Sequence, residues 1–221
     1  MNILVSCEFS GLVRDAFIRA GHNAISCDIE PSEQPGPHLQ HDVLDILALN
    51  LPWDMMIAFP PCTYLAASGA RWWKDRQFEQ EAALEFVRKL MVAPIERIAI
   101  ENPVGRISTV FGLPNQIIHP YMFGHGETKK TCLWLKNLPL LRPTDVVEGR
   151  ESRIHRMPDT KHRKKNRSRT YTGVAAGMAK QWGCVHPIMD NVEPLTTEYI
   201  ENLLSLGKER IQQTHAKQVD S

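Results

Sequence analysis

Short apolar runs alternate with amphipathic stretches through the first half of the chain. Asn2 to Cys7 is apolar and strand-like, and Ser10 or Gly11 then offers a helix start. Leu12, Val13, Ala16, Phe17 and Ala20 fall on one face of that helix, Gly21 stops it, and Asn23 to Cys27 forms a second strand ending in Asp28-Ile29-Glu30. This is a β-α-β unit, whose crossover is expected to be right-handed. Three prolines and a glycine make residues 31–37 a loop. Trp53 to Phe59, apolar except for Asp54, reads as a central strand stopped by Pro60-Pro61. Residues 75–91 give the clearest helix, with Phe78, Ala82, Phe86, Val87, Leu90 and Met91 as its apolar stripe.

Further strands are expected at Arg97 to Ile100, stopped by Glu101-Asn102-Pro103, and at Thr131 to Leu135. No periodicity persists from Lys136 to Thr170, and a loop that long inside a compact domain usually has a function of its own or no fixed structure. Gly173 to Trp182 is a small-residue helix, and a last amphipathic helix runs from Thr197 to about Thr214 on Tyr199, Ile200, Leu203 and Leu204. Strands alternating with helices predict a doubly wound, mostly parallel sheet covered on both faces, built as one domain over residues 1–221. Within it, 136–170 is an extended loop and 196–221 a C-terminal helix and tail.

Composition changes this picture little and charge changes it more. The 221 residues are 43% apolar and 23% charged, and no apolar run approaches the roughly 20 residues needed to cross a bilayer. Neither a secretory leader nor membrane association is expected. Five cysteines, none paired as Cys-x-x-Cys, argue against a disulfide framework or a metal cluster and for the cytoplasm. Residues 150–169 hold six Arg and three Lys against Glu151 and Asp159, a net +7 that leaves −6 on the rest of a chain whose total is +1. Such a segment suits either a local polyanion contact or a solvated loop.

The candidate chemistry stands just beyond the predicted strands, where ligands bind in open α/β sheets. Gly11 followed by Asp28 fits a backbone turn and a ribose-binding carboxylate, or an ordinary β-α-β turn. Asp42 suits the adenine end of such a ligand or the N-cap of a helix at Val43-Leu44. In Phe59-Pro60-Pro61-Cys62-Thr63 two prolines fix the backbone ahead of a cysteine at a strand end, the placement a nucleophilic thiolate needs; a lone cysteine is otherwise a small buried hydrophobe. Glu101 at the neighbouring strand end can hydrogen-bond and protonate a base, or cap a loop.

With these motifs in this order the sequence resembles the cytosine C5 DNA methyltransferases. Pro61-Cys62 matches that family's nucleophile motif and Glu101-Asn102-Pro103 partly matches its Glu-Asn-Val. Cys7-Glu8-Phe9-Ser10-Gly11, Ala20-Gly21 and Asp28-Ile29-Glu30 correspond to its cofactor region, Asp42 to a further cofactor Asp, and Thr172-Gly173-Val174-Ala175-Ala176 to its last motif. Phe-Pro-Pro-Cys-Thr and Gln181-Trp182-Gly183 look closest to short phage or prophage members.

The resemblance implies a Rossmann-like fold and S-adenosylmethionine as cofactor, contacted by Cys7, Phe9, Gly11, Asp28, Ile29, Asp42, Pro60 and Gly173. It also implies catalysis by Cys62 and Glu101, DNA as substrate and no metal. Phe9 replaces a motif glycine, Thr63 a glutamine, and Lys129-Lys130-Thr131 stands near the place of an arginine-bearing strand. Only residues 136–170 occupy the position of a large target-recognition domain. The expected nucleic-acid contacts are Arg71, beside Trp72-Trp73, with Lys129, Lys130, Arg163, Lys164, Lys165, Arg167 and Arg169. The shortened interval keeps three other readings open: RNA, a free cytosine nucleotide, or a non-catalytic relative that binds nucleic acid or protein. An amino-methyltransferase is disfavoured, because those enzymes typically place Asn or Asp before Pro-Pro and an aromatic residue.

Overall fold

A computed structural model describes residues 1–152, 169–184 and 193–207. Alternating apolar side chains build its centre. In β1 (Asn2–Ser6) Leu4 faces one layer while Ile3 and Val5 face the other, the period of two that strand geometry imposes. β1 is followed by α1 (Leu12–Arg19), β2 (Asn23–Cys27), β3 (His38–Leu39), α2 (Val43–Ala48), β4 (Met55–Ala58) and α3 (Gln77–Met91). Then come β5 (Arg97–Pro103), α4 (Arg106–Phe111), β6 (Gln116–Ile118), β7 (Thr131–Lys136), α5 (Thr172–Trp182) and a helix over 197–207, α6.

The seven strands lie in the order β3-β2-β1-β4-β5-β7-β6; β1 to β5 pair in parallel, and β7 runs antiparallel to both its neighbours. The order reverses between β1 and β4, the switch point at which doubly wound sheets open a crevice at their carboxyl edge. Helices α1 and α5 cover one face through Val13, Phe17, Val174, Met178 and the fully buried Trp182. Val43, Ile46, Val87, Leu90, Ile200 and Leu204, from α2, α3 and α6, cover the other. The chain thus has the doubly wound, Rossmann-like fold that its pattern predicts.

Several local expectations are corrected. Phe78 is 82% exposed and Ala82 also faces solvent; the 3-10 segment Ala67–Asp75 leads into α3 so that Gln80, Val87 and Leu90 are buried instead. Ala20, at the C-cap of α1, is exposed, and in α6 Tyr199 is 51% exposed. Strand β5 does not stop at Glu101. It continues through Asn102 and Pro103 because β7 pairs with it out to Pro103↔Thr131, three residues past the last parallel pair with β4, Ala58↔Ile100. The stretch after β7 is not structureless either. Residues 144–151 run beside 121–128, joined by Gly124 N–H to the Asp145 carbonyl (2.7 Å), Val147 N–H to that of Tyr121 (3.0 Å) and Thr128 N–H to that of Glu151 (2.8 Å).

An arginine that the amphipathic pattern passes over holds the loop beyond β2. Arg14 is fully buried, and its Nε donates to Asp15, Nη1 to the hydroxyls of Ser26 and Ser32, and Nη2 to the carbonyls of Gln34 and Pro35, at 2.8–3.3 Å. All five guanidinium protons are thereby used. The same side chain dictates two glycines, since a Cβ on Gly11 (φ +74) or Gly36 (φ +140) would meet its guanidinium at 2.5 or 2.8 Å. Replacing Arg14 strands the buried Ser26 hydroxyl and frees the part-buried acceptors of the loop beyond β2. Arg14→Leu is therefore expected to lower unfolding free energy by about 3 kcal/mol or more in urea denaturation. Arg19→Leu, at an exposed position, should stay within about 0.5 kcal/mol. Equal effects would remove Arg14 from this role.

Candidate functional site

Cys62 lies four residues beyond the end of β4 and is half-buried. Its carbonyl accepts hydrogen bonds from Leu65 N–H (3.0 Å) and Ala66 N–H (2.9 Å), so the chain turns tightly as it leaves the cysteine. The loop is then fastened to the end of β5. Asn102, 1% exposed, donates through Nδ2 to the Pro60 carbonyl at 2.8 Å. Arg106 N–H donates to the Leu65 carbonyl (2.7 Å) and Ala67 N–H to that of Val104 (2.9 Å). The backbones approach so closely that a Cβ on Gly105 would overlap the Leu65 carbonyl at 2.0 Å. The Pro-Pro-Cys loop is therefore held from both sides, by the prolines within it and by β5 beside it.

The register places Phe59, first residue after β4, alongside Glu101, first after the parallel pairing of β5. Glu101 helps line a small cleft that opens to solvent, with Phe59, Lys129, Thr131, Tyr171 and Val174 among the other walls. Burial pushes its carboxyl above the ordinary value near 4.5, and the charge of Lys129 opposes the rise. Cys132, opposite Asn102 on β7, is pushed up to about 11, first by burial and then by the nearby Glu101. Its thiol is a poor nucleophile for that reason.

A second group gathers at the carboxyl ends of β1, β2 and β3. Cys7 follows β1 with φ 57, a left-handed conformation unusual for a residue with a side chain. Burial raises its thiol well above the normal range, and the charges of Asp28, Cys27 and Asp42 add to the rise. Asp28 is half-buried, its carboxyl raised by burial while one oxygen accepts Glu30 N–H at 3.0 Å. Ile29, beside it, leaves 71% of its surface in water. Asp42 caps α2 by accepting Leu44 N–H at 2.9 Å, which commits one of its two oxygens to the helix.

Glu8, which sequence reasoning assigned no role, is 4% exposed. Its Oε1 accepts from Ser10 (2.6 Å) and Val13 N–H (3.2 Å), while Oε2 is buried without a partner. Burial raises its carboxyl. A carboxyl group at a helix start was visible in the sequence; the side-chain direction that buries it was not.

The remaining expected residues divide. Phe9 is tied to the loop after β2, its carbonyl accepting Glu33 N–H at 2.8 Å, and Arg169 grips the Glu33 carboxylate with two bonds of 2.7 and 2.8 Å. Gly173 has a packing reason to be glycine, since a Cβ there would lie 1.8 Å from the Phe123 carbonyl; its N–H donates to His125 Nε2 at 2.9 Å. Its neighbours Tyr171 and Val174 line the cleft. Lys129 reaches the cleft and Lys130 lies near His119, whereas Arg71 is exposed with its guanidinium 5.0 Å from the Trp72 ring centre. Arg163, Lys164, Lys165 and Arg167 lie outside the described residues. Among the described residues no group of His, Cys, Asp and Glu could hold a metal ion, and no helix is long and apolar enough to cross a membrane.

No protein-family model and no curated protein sequence matches the chain. Among solved structures it is similar to the methyltransferase EhMeth of Entamoeba histolytica, at 14% identity and TM-score 0.44 over 69% of this chain and 57% of that one. It is also similar to a DNMT2 variant of Spodoptera frugiperda, at 15% identity and TM-score 0.37 over 66% of this chain and 54% of that one. The chain thus spans little more than half the length of either structure.

Proposed function

We propose that the protein transfers a methyl group from S-adenosylmethionine to C5 of cytosine in DNA, through a covalent bond between Cys62 and C6 of the base. The observation that carries this reading is the fastening of the Cys62 loop, through the Asn102–Pro60 hydrogen bond, to the strand that bears Glu101. A nucleophile and a carboxyl group thus stand at adjacent strand ends.

The chemistry needs both groups. Cytosine is electron-poor at C6 and weakly nucleophilic at C5. When the Cys62 sulfur bonds to C6, the electron pair of the C5–C6 double bond shifts into the ring, and a proton held by Glu101 at N3 offsets the charge that develops. C5 then behaves as an enamine carbon, and its electron pair would take the methyl carbon as the methyl–sulfur bond breaks and a neutral thioether departs. Loss of the C5 proton and departure of the Cys62 sulfur restore the aromatic ring. A carboxyl raised by burial keeps its proton more readily near neutral pH, which suits Glu101 to this role.

The residues at the ends of β1 to β3 suit the cofactor. The Asp28 carboxylate matches ribose hydroxyls, the exposed Ile29 side chain matches a face of adenine, and Asp42 keeps one oxygen for the adenine end. The orphaned Glu8 oxygen adds a buried acceptor at the turn where Cys7 and Gly11 take left-handed backbone. When bound, S-adenosylmethionine supplies an activated methyl group on a sulfonium. The base must leave a duplex stack, or arrive unstacked, to meet Cys62.

Labelled methyl transfer to single-stranded DNA, duplex DNA, RNA and dCMP, read side by side, tests the substrate class; transfer to cytosine in DNA is expected. Cys62→Ala should abolish transfer and leave S-adenosylmethionine binding intact, and turnover retained in that variant would refute the covalent scheme. Glu101 adds a pH signature. Its raised carboxyl gives a stability contribution that is full below about pH 4.5 and is lost as pH rises through the folded-state value. Glu101→Gln removes that loss, so its melting temperature relative to wild type should climb between pH 5 and pH 8 while methyl transfer collapses. A gap that stays constant or shrinks with pH would show that the carboxyl is not raised.

A further inference from the structure

Sheet order β4-β5-β7 sets Glu101 between two loops, the one leaving β4 (residues 59–76) and the one entering β7 (119–130). Each carries an aromatic ring capped by a guanidinium. On the first, Arg71 lies 5.0 Å from the ring centre of Trp72, and Arg76 lies 5.8 Å from that of Tyr64. On the second, Arg150 lies 3.9 Å from the ring centre of Tyr121, which stacks on His119 at 5.1 Å and 25°. Three such pairs is about what a chain of this size carries, so the number says nothing. Their placement does, because among the described residues every one of these rings stands on one of the two loops that bracket β5.

Both loops also leave apolar surface or positive charge in water. Trp72 is 51% exposed and Phe78, at the start of α3, is 82% exposed. Lys74 and Lys130 are exposed as well, on the first and second loop respectively. Core packing explains neither Trp72 nor Phe78. Flat rings, interleaved with cations on the loops either side of β5, match the two parts of a nucleic-acid strand: bases that stack and phosphates that attract.

We propose that these two loops grip unpaired nucleotides on either side of the reacting base, so that the substrate is a single-stranded or locally unpaired nucleic acid. Trp72 and Tyr64 offer stacking to bases on one flank, Tyr121 and His119 to bases on the other, and Arg71, Lys74, Arg76, Lys130 and Arg150 line the backbone. A fully paired duplex keeps its base faces covered and has nothing to lay on these rings. The inference rests on the reading of the cleft as a base-modifying site, but it is tested by binding and not by turnover.

The measurement is fluorescence anisotropy of the full chain, without cofactor, against a labelled 12-nucleotide DNA strand, the blunt duplex of the same sequence and the RNA strand. Single strands should bind at least about tenfold tighter than duplex. Trp72→Ala and Tyr121→Ala should each weaken single-strand binding roughly 5- to 150-fold and barely change duplex binding, while Trp72→Phe and Tyr121→Phe restore most of it. Lys74→Ala should act mainly by lowering the salt slope, by about one ion. Duplex binding as tight as single-strand binding, or alanine variants that melt normally and bind like wild type, would overturn the proposal. So would phenylalanine variants that melt normally and bind no better than alanine. The DNA and RNA arms tell which strand is preferred. Tight, ring-independent duplex binding together with Cys62-dependent methyl transfer would end this inference and leave the proposed reaction standing.

Discussion

The arrangement of the site depends on how far β5 extends. The antiparallel pairing of β7 carries β5 three residues beyond the end of its pairing with β4, and those residues are Glu101, Asn102 and Pro103. Asn102 then reaches back to the Pro60 carbonyl and fixes the loop that carries Cys62. Without that overhang, Glu101 would sit in a flexible turn and the proline loop would have no neighbour to hold it. Functional geometry of this kind needs rigid support, since small displacements weaken both nucleophilic attack and proton transfer.

A second constraint sits across the sheet. Arg14 gives three of its hydrogen bonds to the loop after β2, at Ser32, Gln34 and Pro35, and the close approach of Gly11 and Gly36 follows from its guanidinium. That loop in turn receives Arg169 through Glu33, at the far end of the basic segment. The loops beyond β1 and β2 and the start of α5 are thus coupled through one buried arginine and one exposed ion pair. The buried arginine carries more of the energy, because exposed pairs contribute little.

Much of this was legible in the sequence for a local reason. β1, α1, β2 and β4 each show their own periodicity, so Cys7, Gly11, Asp28 and Cys62 could be assigned to strand ends before any pairing was known. What was not legible is non-local. β3 is two residues long and β6 three, and both exist because a neighbour pairs with them. The continuation of β5 through Glu101 requires β7, which lies about thirty residues later in the chain. Arg14 falls inside an amphipathic helix, where a charged residue ordinarily faces water, and only the folded loop beyond β2 gives it a reason to be buried. Phe78 misled in the opposite sense: its spacing suits a core position, but the 3-10 segment before α3 turns it outward.

The central claim is that the Cys62 sulfur bonds to a pyrimidine. The most direct measurement is mass spectrometry of the wild-type chain incubated with S-adenosylmethionine and an oligonucleotide bearing 5-fluorocytosine, whose fluorine cannot leave as a proton does. The account predicts a stable protein–nucleic acid adduct that maps to the peptide containing Cys62. An adduct on another cysteine, or methylated cytosine in a parallel reaction with no adduct on the fluorinated strand, would contradict it.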